Sequence, residues 1–215
     1  MQLLNHLPLV TIDGKHQLHE AVVTDFLKLQ QAAGKAGVSL DIASSYRSVE
    51  RQLTIWNEKW DGLRPVLDRD GNQCDIALLD DQQKLQTILI WSALPGSSRH
   101  HWGTDVDVYD APAIQDSAAA LQLVPQEYES TGPCGRLKRW MDAHLEDYGF
   151  YCPFTGRADG VAFEPWHISH KAQASIFQSA LTPSAMSELI NSLEIHGKEI
   201  ILQNLDWIYT RFMVN

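Results

Sequence analysis

Positive charge is scarce in this chain: 17 Lys and Arg stand against 27 Asp and Glu, a formal net charge of -10. Nucleic acids and anionic membranes are held through a basic footprint, so no nucleic-acid partner is expected from bulk electrostatics, a local basic groove aside. Long apolar runs are also missing. Stretches such as 88–94 fall far short of the about 20 residues that span a bilayer, so no transmembrane segment is expected. The opening residues MQLLNHLPLV lack a basic n-region, a sustained apolar run and a small-residue cleavage site. They predict a cytoplasmic protein without a signal peptide; a periplasmic location would need an export route the sequence does not display. Cysteine is sparse: Cys74, Cys134 and Cys152 are odd in number and at no metal-ligand spacing, and read as buried or incidental thiols. No repeat, low-complexity tract or linker interrupts the chain.

What is present suits one globular unit. Hydrophobic residues make up 44%, and seven Trp, six Tyr and six Phe argue for a packed, aromatic-rich core. Residues 1–14 read as extended and close on Asp13-Gly14. Three-to-four spacing of apolar residues predicts a helix over 17–33, stopped by Gly34 and Gly37, and 38–43 reads as a strand delivering Ser44-Ser45-Tyr46-Arg47-Ser48. Ser48 is a natural N-cap for a helix over 49–60. A Gly-, Pro- and Asp-rich stretch at 61–75 predicts a loop or small ribbon, followed by a helix over 79–93. Residues 103–109 alternate as a strand with Asp105 and Asp107 on one face. Residues 111–135, with three prolines, read as an irregular lid or rim; a helix over 136–147 and a strand from 160 into 164–169 follow. Helices near 171–180, 183–193 and 198–212 complete a helical C-terminal extension at about 171–215. The class expected is α+β: a small antiparallel sheet carrying the site, flanked by helices, in a single domain of 1–215.

Chemistry concentrates in Ser98-Arg99-His100-His101-Trp102-Gly103-Thr104-Asp105-Val106-Asp107 and in Glu164-Pro165-Trp166-His167. A hydrolytic zinc site needs about three N or O ligands, an open position and a nearby base. His100 and Asp107, seven apart, fit a turn followed by a strand returning past the same point. His167 offers a third ligand, and Glu164, set among apolar neighbours that predict partial burial, offers the base. The plainer readings are that Asp105 and Asp107 cap turns or pair with Arg99, and that Arg47 pairs with Glu50. His6, His16, His19, His144 and His196 read as solvated. His101 reads equally as a cleft residue or a solvent-facing one, and Trp102 and Trp166 as groove walls or core.

Together these motifs resemble a known family. The pattern S-x-H-x-x-G-x-A-x-D followed by E-x-x-H is that of the D-alanyl-D-alanine metallopeptidases related to vancomycin-resistance carboxypeptidases and dipeptidases. It is more distantly similar to lysostaphin-type enzymes and the hedgehog signalling domain. Ser98, His100, Gly103, Asp107, Glu164 and His167 match it, and Ser45-Tyr46-Arg47-Ser48 with Gln52 resembles the family's S-x-Y-R-S-x-x-x-Q segment.

The resemblance implies one zinc per chain bound by His100, Asp107 and His167, with Glu164 as the catalytic base. It implies that Arg47 polarises the scissile carbonyl or grips a substrate carboxylate, and that Gln52 and Ser98 serve substrate binding. The implied partner is a peptidoglycan stem peptide or a small peptide containing D-Ala-D-Ala, and the implied activity a D,D-carboxypeptidase. A dipeptidase, an endopeptidase and a non-catalytic zinc-stabilised peptide-binding module are the alternatives. One departure is visible: Asp105 stands where the family has Ala, and a role orienting a zinc-bound imidazole is expected of it.

Overall fold

The computed structural model describes residues 6–117 and 120–214. Its framework is set by a short antiparallel sheet in the order β3-β6-β8-β7: β3 Asp41–Ser44, β6 Asp105–Tyr109, β8 His167–His170 and β7 Phe150–Tyr151. Register fixes the chemistry, because Asp107 lies opposite His167 on one side and opposite Ser44 on the other. Directly paired cross-strand residues project to the same face. A bulge between Ile42 and Ser44 turns the end of β3 toward the site.

A hairpin of β1 Leu9–Ile12 and β2 His16–His19 precedes α1 Glu20–Lys35. β2 was not expected, and His19, expected to be solvated, is 7% exposed and caps α1 by accepting from Ala21 N–H. Phe26 and Leu29 of α1 pack with Val106, Val108 and Phe150 of the sheet and with Leu137 and Met141 of α5 Gly135–His144, forming one core.

A second core lies under α2 Val49–Trp60 and α3 Asp81–Leu89. Trp56, Leu85 and Ile88 meet Met186 and Ile190 of α7 Pro183–Ser192, Ile201 of α8 Lys198–Gln203 and Ile208 of α9 Leu205–Ile208. Between α2 and α3, β4 Val66–Leu67 and β5 Gln73–Cys74 form the small ribbon. The cysteines are free thiols.

Three expectations need correction. Residues 111–135 are not wholly irregular, since α4 Ala111–Asp116 is capped by Asp110 and starts with Pro112 where its missing N–H costs nothing. The strand expected from 160 forms only a bridge between Thr155 and Phe163; Glu164–Trp166 turn, and β8 begins at His167. The helix expected over 198–212 breaks at Asn204, whose side chain bonds Gln82 Oε1 and Ile200 O, and ends in a π turn at Tyr209–Met213. α6 Lys171–Ala180 follows β8 as expected.

Candidate metal and catalytic centre

Arg47 sits where β3 hands over to α2. Ser48 caps α2 by accepting from Arg51 N–H at 3.2 Å, and Arg47 N–H donates to His100 O at 3.1 Å, tying this corner to the motif turn. The guanidinium donates to Gln52 Oε1 (2.8 Å) and to Ser44 Oγ (3.0 Å). Gln52, 1% exposed, is itself anchored through Nε2 to Ala93 O at 2.8 Å. Both ends of its amide are therefore engaged, one of them on Arg47, and Gln52 also lines the cleft. No carboxylate pairs with Arg47 among the described residues, so the Glu50 pairing is not formed; burial lowers its pKa while Asp107 and Glu164 oppose that.

His100 lies in a 3₁₀ turn, Arg99–Trp102, closed by Gly103 at φ 67°. A Cβ there would come within 2.8 Å of both His19 N and a Leu9 methyl, so only glycine lets the turn dock on the β1–β2 hairpin. His100, Asp107 and His167 each offer one ligand atom, and these atoms lie within 4.8 Å of one another. His100 Nε2 is 3.2 Å from Asp107 Oδ2, and His167 Nδ1 is 3.0 Å from Asp107 Oδ1. All three side chains are buried.

The other ring nitrogens are committed elsewhere. His100 Nδ1 donates to Ser45 O (2.9 Å), and His167 Nε2 to Asp105 Oδ1 (2.9 Å). The remaining ring nitrogen of each imidazole, His100 Nε2 and His167 Nδ1, thus faces Asp107, whose Oδ1 makes no hydrogen bond although buried. Burial pushes His100 toward its neutral form against the pull of Asp107. His167 is held the other way: against the same burial, the nearby carboxylates of Asp105 and Asp107 raise it to about 9. Two ring nitrogens and an orphaned carboxylate oxygen, gathered out of water, make an N/N/O donor set of the kind that suits zinc.

Asp105 is fully buried and accepts from Arg99 Nε (2.7 Å) and Thr104 Oγ1 (2.5 Å) as well as from His167. Burial would raise its pKa, but Arg99 and these hydrogen bonds hold it well below the usual carboxylate range. Arg99 also donates to Ser169 Oγ, Tyr151 OH and Gln178 Oε1. The residue that departs from the family pattern therefore braces His167 and is braced in turn by Arg99.

Glu164 reaches the site from the turn before β8, its Oε2 3.8 Å from His167 Nδ1. Burial pushes its carboxyl up to about 8 despite nearby His167 and Arg47. Glu164, Arg47, Ser98 and the donor triad line a cleft of about 620 Å³. The Ser98 hydroxyl makes no hydrogen bond among the described residues, which leaves it free for a ligand.

His101 fits neither expectation: it is 1% exposed, with Nε2 accepting from Gly96 N–H (3.0 Å) and Nδ1 donating to Arg47 O (2.6 Å). It staples the motif to the Arg47 corner, and burial lowers its pKa to about 4. Trp102 is core, stacked on Phe177 under the Arg99 guanidinium, whereas Trp166 lines the cleft and stacks on Trp91. Sequence reading missed Lys59 of α2, which also lines the cleft; its position on the Gln52 face of the helix was the only signal.

A cleft that sets a His/Asp/His group able to hold a metal beside a buried glutamate and a poised arginine defines a candidate metallopeptidase centre. The family model described as VanY, D-alanyl-D-alanine carboxypeptidase, matches residues 15–173, and the chain belongs to that family. It is similar to a D-alanyl-D-alanine carboxypeptidase of Enterococcus faecalis, 29% identical over 170 residues, which are 76% of this chain and 52% of that protein. Its fold is that of VanYB, solved in complex with D-alanine-D-alanine: TM-score 0.57 and 21% identity over 88% of this chain and 91% of that one. The D,D-pentapeptidase VanY, solved with Zn(II), gives a TM-score of 0.56 and 23% identity over 82% and 86%. No helix among the described residues is long and apolar enough to cross a membrane.

Proposed function

We propose that this chain is a zinc-dependent D,D-carboxypeptidase that trims D-Ala from peptidoglycan stem peptides. The convergence of the His100, Asp107 and His167 donor atoms beside Glu164 and Arg47 carries the reading. These three residues would hold one zinc, which when bound supplies Lewis-acid activation of water and of the scissile carbonyl.

The chain's own groups do the rest. Glu164 takes a proton from the attacking water as its oxygen bonds to the carbonyl carbon. It then gives that proton to the departing amine nitrogen as the C–N bond breaks, a task suited to a carboxyl poised near neutrality. Arg47, aimed by Gln52 and Ser44, offers its remaining N–H groups to the developing oxyanion or to a substrate carboxylate. Ser98 offers a hydroxyl to the substrate backbone. Asp105 fixes the His167 tautomer with the proton on Nε2, so that Nδ1 is the nitrogen offered to the metal.

The cleft runs past Arg47 along α2 to Lys59, Arg64 and Gln73, and Ile208, Phe212 and Met213 of the C-terminal extension form part of its wall. A cleft with that many lining residues supports a stem peptide over free D-Ala-D-Ala, and the shared wall supports reading the extension as part of the same unit. Zinc-loaded protein is expected to release one D-Ala from a stem pentapeptide, and Glu164→Ala to keep the zinc and lose the release. Cleavage of free D-Ala-D-Ala alone would instead indicate a dipeptidase, cleavage of cross-links an endopeptidase, and tight binding without turnover a binding module.

A further inference from the structure

Lys59 is the cleft group that the reaction above leaves without a task. It stands in the last turn of α2, in the i, i+3, i+7 row with Gln52 and Ile55, and all three line the cleft. Helical side chains lean toward the helix N-terminus, so its ammonium reaches back toward Gln52. There Nζ donates to Ser92 Oγ at 2.5 Å, one residue before Ala93, whose carbonyl anchors Gln52. The ammonium and the Gln52 amide are thus anchored on adjacent residues of one segment that lines the cleft.

The carboxylate of Glu164 acts on the Lys59 charge through the cleft without a direct ion pair. No carboxylate pairs with Lys59 among the described residues, whereas the neighbouring Arg64 is clamped by Glu58 through Nε (2.9 Å) and Nη2 (2.8 Å). A half-buried ammonium whose only hydrogen-bond partner among the described residues is a hydroxyl is costly unless an anion completes it. Burial, with Arg64 and Arg47 nearby, lowers its pKa to about 8 against the opposing pull of Glu164, so the cation is still present at neutral pH. Ser92, by accepting from Lys59, keeps its own O–H free to donate, and the two side chains make a pair of donors.

We propose that Lys59 and Ser92 form a carboxylate-binding subsite, separate from Arg47, that engages a carboxylate of the peptide away from the scissile carbonyl. The proposal rests on the peptidase reading and deepens it by naming a charge the substrate must carry. That carboxylate is either the peptide's free C-terminus or an acidic group further along the stem.

Three peptides distinguish the sources: a stem pentapeptide ending in D-Ala-D-Ala, its C-terminal amide, and its analogue with the stem's acidic groups amidated. Lys59→Met is expected to raise KM for the parent about tenfold or more, with kcat little changed, as the loss of a charge-assisted hydrogen bond implies. The difference should disappear on the analogue lacking the recognised carboxylate. Lys59→Arg should recover part of the loss, and Ser92→Ala should reproduce a smaller version of it. An equal defect on all three peptides, or unchanged kinetics in both Lys59→Met and Ser92→Ala, overturns the subsite. Calorimetric binding of the same peptides to Glu164→Gln protein, with and without Lys59→Met, needs no turnover. Charge-selective binding that depends on Lys59 without hydrolysis would sink the peptidase reading alone, and binding indifferent to Lys59 would sink the subsite alone.

Discussion

Replacing Asp105 by Asn keeps the shape of the residue and removes its charge, which isolates what the carboxylate does for His167. In the protein Asp105 is fully buried and takes hydrogen bonds from Arg99 Nε, Thr104 Oγ1 and His167 Nε2 at 2.5–2.9 Å. The Asn carbonyl can still accept from Arg99 and His167, and the amide N–H can face a rotated Thr104 hydroxyl. Lost are the charge that makes His167 a more basic ligand and the partner of a buried guanidinium. Loss of such an outer carboxylate weakens metal binding about 10–100-fold, or about 1.4–2.7 kcal/mol. Breaking a buried ion pair costs up to about 3–5 kcal/mol of stability. The cost here should fall below that range, because Arg99 keeps Ser169, Tyr151 and Gln178. Competition with a chromophoric chelator measures the first effect, and chemical denaturation of the metal-free protein the second. A folded Asp105→Asn protein whose zinc affinity is within twofold of the parent would show that the Arg99–Asp105 pair does not brace His167.

Further outcomes follow from the same geometry. His167→Ala should lose both zinc and hydrolysis, by metal analysis alongside D-Ala release. Arg47→Lys should lower kcat/KM by about 10²–10³, since it cannot reproduce the fork aimed by Gln52 and Ser44; steady-state kinetics reads this. In Glu164→Gln protein, which removes the carboxyl that titrates in the same range, binding of the carboxylate-bearing peptide should weaken as pH rises toward about 8, because Lys59, its pKa lowered from the usual lysine value, loses its charge there. Lys59→Arg should move the decline to higher pH, and a decline unmoved in that variant would assign it to another group. Ser48→Ala should cost about 1 kcal/mol through the lost α2 cap, measurable by urea denaturation.

Much of this was legible in the residues themselves. The Ser48 cap and the helix from Val49 to Trp60 lie where local rules put them, because capping is local chemistry. The alternation at Asp105–Tyr109 set both carboxylates on one face, and both now meet the one imidazole of His167. What failed depended on partners distant in sequence. β2 reads as the start of a helix until β1 pairs with it. The helix expected through residue 212 breaks because Asn204, a weak helix former, finds Gln82 across the fold. His101 gives no local sign of stapling Gly96 to Arg47. Lys59 resembles any solvated helix lysine until Ser92 folds against it.

The central claim is a single zinc, held by His100, Asp107 and His167, serving Glu164 in D-Ala release. Its most direct test is mass spectrometry of a stem pentapeptide incubated with protein carrying one equivalent of zinc, beside Glu164→Ala protein carrying the same metal. The account predicts loss of one D-Ala residue with the first and an intact peptide with the second. An intact peptide with both, or equal trimming by both, would contradict it.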